Sequence, residues 1–427
     1  MLFDLSGLYK KIKCNGSVNK LPNGITLIAE NVPDYELVNG YIDLNVGSAY
    51  ETPEKKGIMH FLEHLCATHD MNKELGLMGV KIDAITSPLN ISFPIKGSDN
   101  FLLKDNFVKA FKIIKNDLFK PSFNHEVIES ERLTVKKEII ERNNKFNPYR
   151  DIIDSINNYL YGNNPFFKDN AITGSKESVD SITIDNLIDF HNKFFVGSNT
   201  IVGLIGDLGP NFELRDEIIK ELSDILKGSL SELISYVPER LFNKNKFLSF
   251  NNPQKSSDCN IKIYYQIPIN PVDISKINIL MNILGNGFNS LLFKELREKE
   301  RLIYGLSTKL EGHYITNYLK IEYNVDKSKK DFSIACVNNC INKLKSGDFD
   351  KDLIDIFKAR ELPGLIVDVK KVGTIHDYLK IENMGNINTK KYDIINQIES
   401  FWDTTKEDII RVANEYLNDN KLVISIE

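Results

Sequence analysis

The sequence contains no apolar run of about 18 residues, the length that a membrane-spanning helix requires, so no membrane span is expected. Its 54 Lys and Arg residues against 59 Asp and Glu give a net charge of −5. This lack of basic excess argues against nucleic acid as a partner, because phosphate binding needs a basic surface. The five scattered cysteines do not form the pattern of a disulfide framework, and the start shows no secretory signal. A cytoplasmic location is therefore expected, with an organelle matrix as the alternative.

The length of 427 residues predicts two or more domains, and an apolar fraction of 42% is that of a globular protein. The stretches 23–32 and 37–50 are β-branched and apolar, which is typical of strands. The stretch 124–142 has the 3.6-residue period of an amphipathic helix, and its predicted buried positions are Val127, Ile128, Val135, Ile139 and Ile140. Strands and helices in this order predict an α+β fold.

Two passages repeat one pattern of helix, turn and buried strand. TIDNLIDFHNKFFVGSNTIVGLI begins at residue 183 and TKEDIIRVANEYLNDNKLVISI at residue 405, so equivalent positions lie 222 apart. Matching residues are Thr183 with Thr405, Leu187 with Ile409, Phe194 with Tyr416 and Ile201 with Val423. A repeat of about half the chain predicts two related α+β domains, residues 1–235 and 236–427.

The stretch MHFLEHL (59–65) places two of the seven histidines of the chain four residues apart. On a helix, His60 and His64 share one face, and Glu63 projects near it. Two imidazoles can bind one metal ion and leave room for a third ligand and a water, whose proton a neighbouring carboxylate can take. This is the inverted zinc motif His-x-x-Glu-His, which predicts His60 and His64 as metal ligands and Glu63 as general base. The alternative interpretation is a pair of solvated histidines.

A third ligand is expected from another element, and the predicted helix 124–142 offers several glutamates. Glu131 and Glu138 are seven residues apart, which is two helical turns, so they share one face. Spacing alone leaves the choice between these two residues open. Most glutamates of such a helix are expected to be solvated.

Several stretches resemble the insulinase/pitrilysin family of zinc peptidases, above all its short members of the mitochondrial-processing-peptidase type. NVGSAYETPEKKGIMHFLEHL has the family's Gly-Ser and Glu before the metal motif, and ERLTVKKE has two glutamates seven apart. The stretches AITGSKESVDSITIDNLIDFHNKFF, TIVGLIGD and LFKELREKERLIYGLS match the family in order and spacing. The resemblance extends over nearly the whole chain.

The resemblance implies two related domains, each a mainly antiparallel sheet covered by helices, with the metal site in the first. It implies one Zn²⁺ per chain, with Glu138 as the third ligand and Glu131 supporting the ligands. In the second domain, Arg297 and Tyr304 would bind substrate and steady the tetrahedral oxyanion. Without the resemblance, these two would be a surface arginine and a core residue of a strand.

By the same resemblance, two chains of this length close into a chamber around a peptide, so a homodimer or a heterodimer with a related chain is expected. The zinc site of one chain would face Arg297 and Tyr304 of its partner. Short or unfolded peptides would bind by adding a strand to a sheet edge near residues 83–87. We therefore predict a zinc-dependent endopeptidase. The alternatives are a noncatalytic peptide-binding partner of a heterodimeric peptidase and a maturation protease dedicated to one modified or secreted peptide.

Two stretches depart from the family pattern. CATHD (66–70) replaces an aromatic stretch that ends in Gly-Thr, and DAITS (83–87) has Asp83 in the place of an Asn, followed by Ala84. Asp83 and Ala84 are predicted to bind substrate on the edge strand, where the added negative charge would favour basic peptides or alter the pocket. His69 lies five residues after His64, off the ligand face, and is expected in a loop.

Overall fold

The structure is a computed structural model, and its described residues are 16–32, 37–67, 69–81, 84–97, 102–144, 147–161, 172–232, 245–254, 256–267, 273–312, 317–370 and 400–427. They divide into two compact units. The first unit comprises the described residues within 1–146, 163–235 and 369–388, and the second those within 147–162, 236–368 and 389–427. No helix in the described ranges is both long and apolar enough to cross a membrane.

The strands and helices are numbered here in chain order. The strands are β1 Gly16–Lys20, β2 Thr26–Asn31, β3 Leu37–Leu44, β4 Val80–Lys81, β5 Ile85–Thr86, β6 Ile91–Gly97, β7 Leu102–Leu103, β8 Thr200–Gly206, β9 Lys246–Phe250, β10 Asp258–Ile267, β11 Leu306–Gly312, β12 Asn317–Asp326 and β13 Lys421–Ile426. The α-helices are α1 Ile58–Cys66, α2 His69–Leu77, α3 Lys104–Phe119, α4 His125–Asn144, α5 Arg150–Tyr161, α6 Lys176–Ser181, α7 Ile184–Phe194, α8 Glu213–Leu222, α9 Ile274–Gly285, α10 Lys330–Ser346, α11 Asp352–Lys370 and α12 Lys406–Tyr416.

The first unit is built on a mixed, mostly antiparallel sheet with the strand order β1-β2-β8-β3-β6-β4. The short strands β5 and β7 pair with β6 and β3, and β2 runs parallel to β8. Apolar side chains of this sheet pack against helices α1 to α4, α7 and α8. The largest side chains fully buried in this core are Phe61, Phe93, Phe107 and Phe111.

The second unit has a sheet of order β11-β12-β10-β13-β9, in which β13 runs parallel to β9 and the other pairs are antiparallel. Its core packs the sheet against helices α9 to α12. The strand order β2-β8-β3-β6 of the first sheet is equivalent to β9-β13-β10-β12 of the second. In each sheet the first two strands of this order, β2 with β8 and β9 with β13, are parallel. The predicted α+β fold with two related, mainly antiparallel halves is thereby confirmed.

Helices α7 and α12 are the clearest repeat between the units. Thr183 and Thr405, 222 residues apart, are their N-caps, and each side chain accepts a hydrogen bond from a backbone N–H three residues later. This bond satisfies an amide that a helix start leaves unpaired. Leu187 and Ile409, which are equivalent in the two passages, are both completely buried. The sequence repeat therefore corresponds to one supersecondary unit used twice.

Residues 147–161 belong to the second unit, whereas the predicted first domain of 1–235 included them. Helix α5 packs its apolar face against the second sheet. The ring of Tyr161 meets that of Tyr318 edge-on at 5.8 Å, and the hydroxyl of Tyr318 donates to the carbonyl of Leu160. Helix α5 belongs to the second unit because of contacts with residues far away in the sequence. The local sequence pattern of α5 therefore does not indicate the unit to which it belongs.

Three details of the helices differ from the sequence predictions. Val127 and Ile140 of α4 are 37% and 36% exposed, although both were predicted to be buried. They lie about 100° around the helix from neighbours that do face the core. His69 is the first residue of α2 and not part of a loop. The remaining predicted core positions of α4 are buried, and they are Ile128, Val135 and Ile139.

Candidate metal centre

Helix α1 carries the His-x-x-Glu-His motif on the face that it does not bury. His60, Glu63 and His64 are partly buried and share this face, because residues three and four apart lie together on a helix. The remaining side chains anchor the helix in the core, and they are Ile58, Met59, Phe61, Leu62, Leu65 and Cys66. The apolar pattern of the local sequence therefore determines the direction in which both imidazoles point.

Helix α4 places two carboxylates against this polar face. Oε2 of Glu138 lies 3.6 Å from Nε2 of His60 and 3.6 Å from Nε2 of His64. Oε2 of Glu131, two turns earlier, lies 3.2 Å from Nδ1 of His64. The structure thus distinguishes the two glutamates that spacing left open: Glu138 faces both Nε2 atoms, and Glu131 contacts the opposite nitrogen of one ring.

The convergence of His60, His64 and Glu138 fits a zinc ion. Their candidate ligand atoms all lie within 4.8 Å of one another, and the described part of the chain contains no other such group of His, Cys, Asp or Glu side chains. Ligand atoms at about 2.1 Å from a tetrahedral zinc are roughly 3.4 Å apart, close to the observed 3.6 Å separations. Burial lowers the pKa of His60 to about 4, which keeps the imidazole neutral, the form that binds metals.

Glu63 shares the polar face of α1 with His60 and His64 and has a hydrogen-bond partner of its own. Its carboxylate accepts a hydrogen bond from the hydroxyl of Thr86 in β5. Burial raises the pKa of Glu63 above its usual value, and the bond from Thr86 opposes this shift. A carboxylate with a raised pKa is a better proton acceptor near neutral pH. The carboxylate oxygens of Glu63 are not among the converging ligand atoms, so the position of Glu63 suits a base and not a ligand.

Strands β4 and β5 lie at the edge of the first sheet, and β5 contains Thr86, the hydrogen-bond partner of Glu63. Both pair with β6, and among the described residues no strand lies on their outer side. Ile85 in β5 is 56% exposed. Ala84 directly precedes β5 and is partly buried, whereas Asp83 lies outside the described residues. Such an edge offers unpaired backbone groups to an extended peptide.

Arg297 and Tyr304 lie together in the second unit. The guanidinium carbon of Arg297 is 4.8 Å from the centre of the Tyr304 ring and 4.9 Å from that of Phe293. Arg297 belongs to a π-helical turn, Phe293–Lys299, and Tyr304 precedes β11. Tyr304 is 86% exposed, so the alternative of a core residue in a strand is wrong. A tyrosine so exposed contributes little to its own fold.

Three further residues shape the site, and the sequence patterns assign no role to any of them. Thr86 bonds Glu63. Arg132 of α4 lies over the Phe61 ring of α1 at 5.2 Å and donates to two backbone carbonyls at the end of α6, so it links α4 to both helices. Glu51 accepts two backbone N–H bonds at the start of α1. A buried arginine in a charged helix and a glutamate in a loop have no periodic signal, so pattern analysis overlooks them.

The fold and the site define a class: α+β proteins with two related units, the first of which carries an inverted His-x-x-Glu-His motif opposite a distant glutamate. Comparison with family models agrees. The model for insulinase (peptidase family M16) matches residues 27–173, and the model for the peptidase M16 inactive domain matches residues 181–360. The chain therefore belongs to peptidase family M16.

Similar proteins span much of the chain. An uncharacterized zinc protease of Rickettsia bellii is 23% identical over 336 residues, which cover 78% of this chain and 79% of that protein. The mitochondrial-processing peptidase subunit beta of Dictyostelium discoideum is 26% identical over 50% of this chain and 45% of its own length. The crystal structure of a protease from Helicobacter pylori covers 97% of this chain and 100% of its own, with a TM-score of 0.73 and 17% identity, which supports the fold.

Not every similar protein is named as a peptidase. A non-peptidase homolog from Helicobacter pylori is 22% identical over 67% of this chain and 66% of its own length. Membership of the family is therefore consistent with a peptidase but does not by itself assign the activity.

Proposed function

We propose that this chain is a zinc-dependent endopeptidase that cleaves short or unfolded peptides. One observation carries the proposal: the Nε2 atoms of His60 and His64 both lie 3.6 Å from the same oxygen of Glu138, and Glu63 is on the same face of α1 as the two histidines. This arrangement combines a three-ligand metal site with a base that is not a ligand. The names of relatives such as the Rickettsia zinc protease support zinc as the metal.

Each residue of the site has its own proposed role. Zinc held by His60, His64 and Glu138 would supply Lewis-acid chemistry, polarising the scissile carbonyl and acidifying a water. Glu131 holds the ring of His64 in its ligating orientation through Nδ1. Glu63 takes a proton from the attacking water and passes it to the leaving amine.

The substrate would lie extended along β4 and β5, next to the base. Ala84 and the unpaired outer side of β5 supply the backbone contacts, and Asp83 is proposed to join them. A cavity of about 700 Å³ beside Glu131 has further carboxylates in its walls, those of Glu74, Asp117 and Glu126. This negative charge supports peptides with basic side chains as substrates.

We further propose that Arg297 and Tyr304 serve the metal site of a partner chain in a homodimer or a heterodimer. The exposure of Tyr304 and its stacking with Arg297 support a role outside their own unit. The proposed compartment is the cytoplasm or an organelle matrix. The free thiols of all four cysteines in the described ranges, Cys66, Cys259, Cys336 and Cys340, support such a reducing environment.

Cleavage of a quenched-fluorescent, unstructured basic peptide by the zinc-loaded chain tests the proposal, with Glu63→Gln as the comparison. The variant should keep its zinc, because Glu63 is not a ligand, and lose at least about 100-fold in kcat. Bound zinc with no cleavage of any peptide in a mixed library by the wild type, alone or with a related chain, would contradict a peptidase.

The second candidate is a noncatalytic peptide-binding partner, which the non-peptidase relative favours. Such a protein would bind the same basic peptide without cutting it. Fluorescence anisotropy with the labelled peptide distinguishes the two functions: saturable binding that leaves the peptide intact supports the partner, and turnover supports the enzyme.

A further inference from the structure

Helix α1, which carries the metal motif, begins without a side-chain cap of its own. Its N-cap is Gly57, which has a φ of 94°. A Cβ atom at this position would come within 2.6 Å of the carbonyl oxygen of Thr173, so the position accepts no larger residue without a shift of the backbone. The Ser, Thr, Asp or Asn that usually satisfies the first amides of a helix is thereby excluded. Those amides need an acceptor from elsewhere.

Glu51, six residues before Gly57, supplies that acceptor. Its Oε2 accepts the backbone N–H of Gly57 at 3.1 Å, and its Oε1 accepts that of Met59 at 2.9 Å. The side chain of Glu51 is completely buried, and Nζ of Lys56 lies 3.8 Å from Oε2. Both oxygens of one carboxylate are therefore used on the first turn of the metal helix. A buried carboxylate is costly unless its bonds are made in this way.

The two histidines differ in what fixes their rings. Nδ1 of His64 has Glu131 at 3.2 Å. Nδ1 of His60 is buried and has no hydrogen-bond partner among the described residues. The position of the His60 ring therefore depends on the backbone and on packing. The residue directly before His60 is Met59, whose backbone N–H donates to Glu51.

We propose that Glu51 is a positioning residue for His60: it fixes the first turn of α1, so that Nε2 of His60 meets the metal together with His64 and Glu138. Glu51 acts through the backbone and contacts neither the metal nor the substrate. The inference rests on the proposed zinc site. It does not depend on whether the site cleaves peptides.

The test is the dissociation constant for zinc of the full chain, measured by competition with a chromophoric chelator, for wild type, Glu51→Gln and Glu54→Gln. The glutamine keeps the size of Glu51 but has one acceptor oxygen, so one of the two amides loses its partner. Glu54 is an exposed residue of the adjacent turn, Pro53–Lys55, and serves as the matched control. We expect E51Q to weaken zinc binding by about 10- to 100-fold and E54Q to leave it unchanged.

A merely structural cap would give a different result. It would lower the unfolding temperature of the zinc-free chain while the folded variant bound zinc with wild-type affinity. A zinc dissociation constant of E51Q within twofold of the wild type, in a chain with a native circular-dichroism spectrum, would overturn the proposal.

If E51Q does not fold, Glu51→Asp replaces it, because the shorter carboxylate reaches only part of the first turn. Wild-type zinc affinity in E51D would also overturn the proposal, and a loss would support it. A wild type that binds no zinc refutes the metal site itself, so failure of the inference and failure of the site remain distinguishable.

Discussion

Oε2 of Glu131 lies 3.2 Å from Nδ1 of His64, and Oε2 of Glu138 lies 3.6 Å from Nε2 of the same ring. The two carboxylates thus approach opposite nitrogens of one imidazole. A bond at Nδ1 fixes the tautomer and the orientation of a histidine that binds metal through Nε2. This geometry supports the proposed roles of Glu138 as a ligand and of Glu131 as the residue that orients a ligand, although both are on the same helix.

Substitution of these two glutamates should affect zinc binding to different degrees. Glu138→Gln removes a charged ligand, and we expect no stoichiometric zinc after dialysis. Glu131→Gln removes a bond to a ligand, and the dissociation constant should rise by about 10- to 100-fold. Glu141→Gln is the matched control on α4, since Glu141 is 62% exposed at its side chain and pairs with Lys137 at 3.8 Å. Equal losses for E138Q and E131Q would contradict this division of roles.

Thr86 should matter for turnover and not for zinc. Thr86→Val keeps the shape of the side chain but removes the hydroxyl that bonds Glu63. Because hydrogen bonds to charged groups contribute about 1.5–3 kcal/mol, kcat should fall by about 10- to 100-fold while the zinc content stays at one per chain. Thr86→Ser keeps the hydroxyl and should restore most of the rate. Stopped assays over a range of peptide concentrations give kcat and KM separately, and an unchanged kcat in T86V would contradict the prediction.

Arg297 and Tyr304 offer a test of the proposed dimer. If they complete the site of a partner chain, a Glu63→Gln chain and a Tyr304→Phe chain are each inactive or slow alone. Mixed in equal amounts, they form heterodimers in which one site has both Glu63 and Tyr304. With random pairing, half of the dimers are heterodimers, and one of the two sites in each heterodimer is intact. The rate of peptide cleavage should therefore recover toward a quarter of the wild-type rate. Recovery that does not exceed the sum of the separate variants would contradict a site shared in a homodimer.

The sequence was most informative where one local pattern determines one outcome. The motif at His60, Glu63 and His64 lies on a helix as predicted, because the apolar residues between them bury the opposite face. The repeat of Thr183 and Thr405 appears as two N-caps on equivalent helices, because capping depends on a few neighbouring residues. Such features need no knowledge of distant contacts.

Features that depend on distant contacts were not predictable from spacing. Glu131 and Glu138 occupy one helix face, and only the position of α4 relative to α1 decides which of them faces both histidines. Val127 and Ile140 are apolar yet exposed. In contrast, Arg132 is only 9% exposed, and two backbone carbonyls at the end of α6 accept hydrogen bonds from its guanidinium group. An apolar pattern identifies the centre of a buried face well and its margins poorly.

His191 should make the stability of the first unit depend on pH. The side chain is 5% exposed, its Nε2 lies 2.9 Å from the carbonyl oxygen of Leu118, and burial lowers its pKa below the usual 6.5. As pH falls below about 6.5, the unfolded chain binds a proton that the folded chain does not, so this contribution to stability is lost on acidification and fully present above. The free-energy advantage of wild type over His191→Gln, from urea unfolding at pH 5 to 8, should shrink below pH 6.5 by at most about 1.4 kcal/mol per pH unit. Replacement of the exposed His125 by Gln is the control and should leave the profile unchanged. A wild-type advantage that stays constant across this range would contradict the assignment to His191.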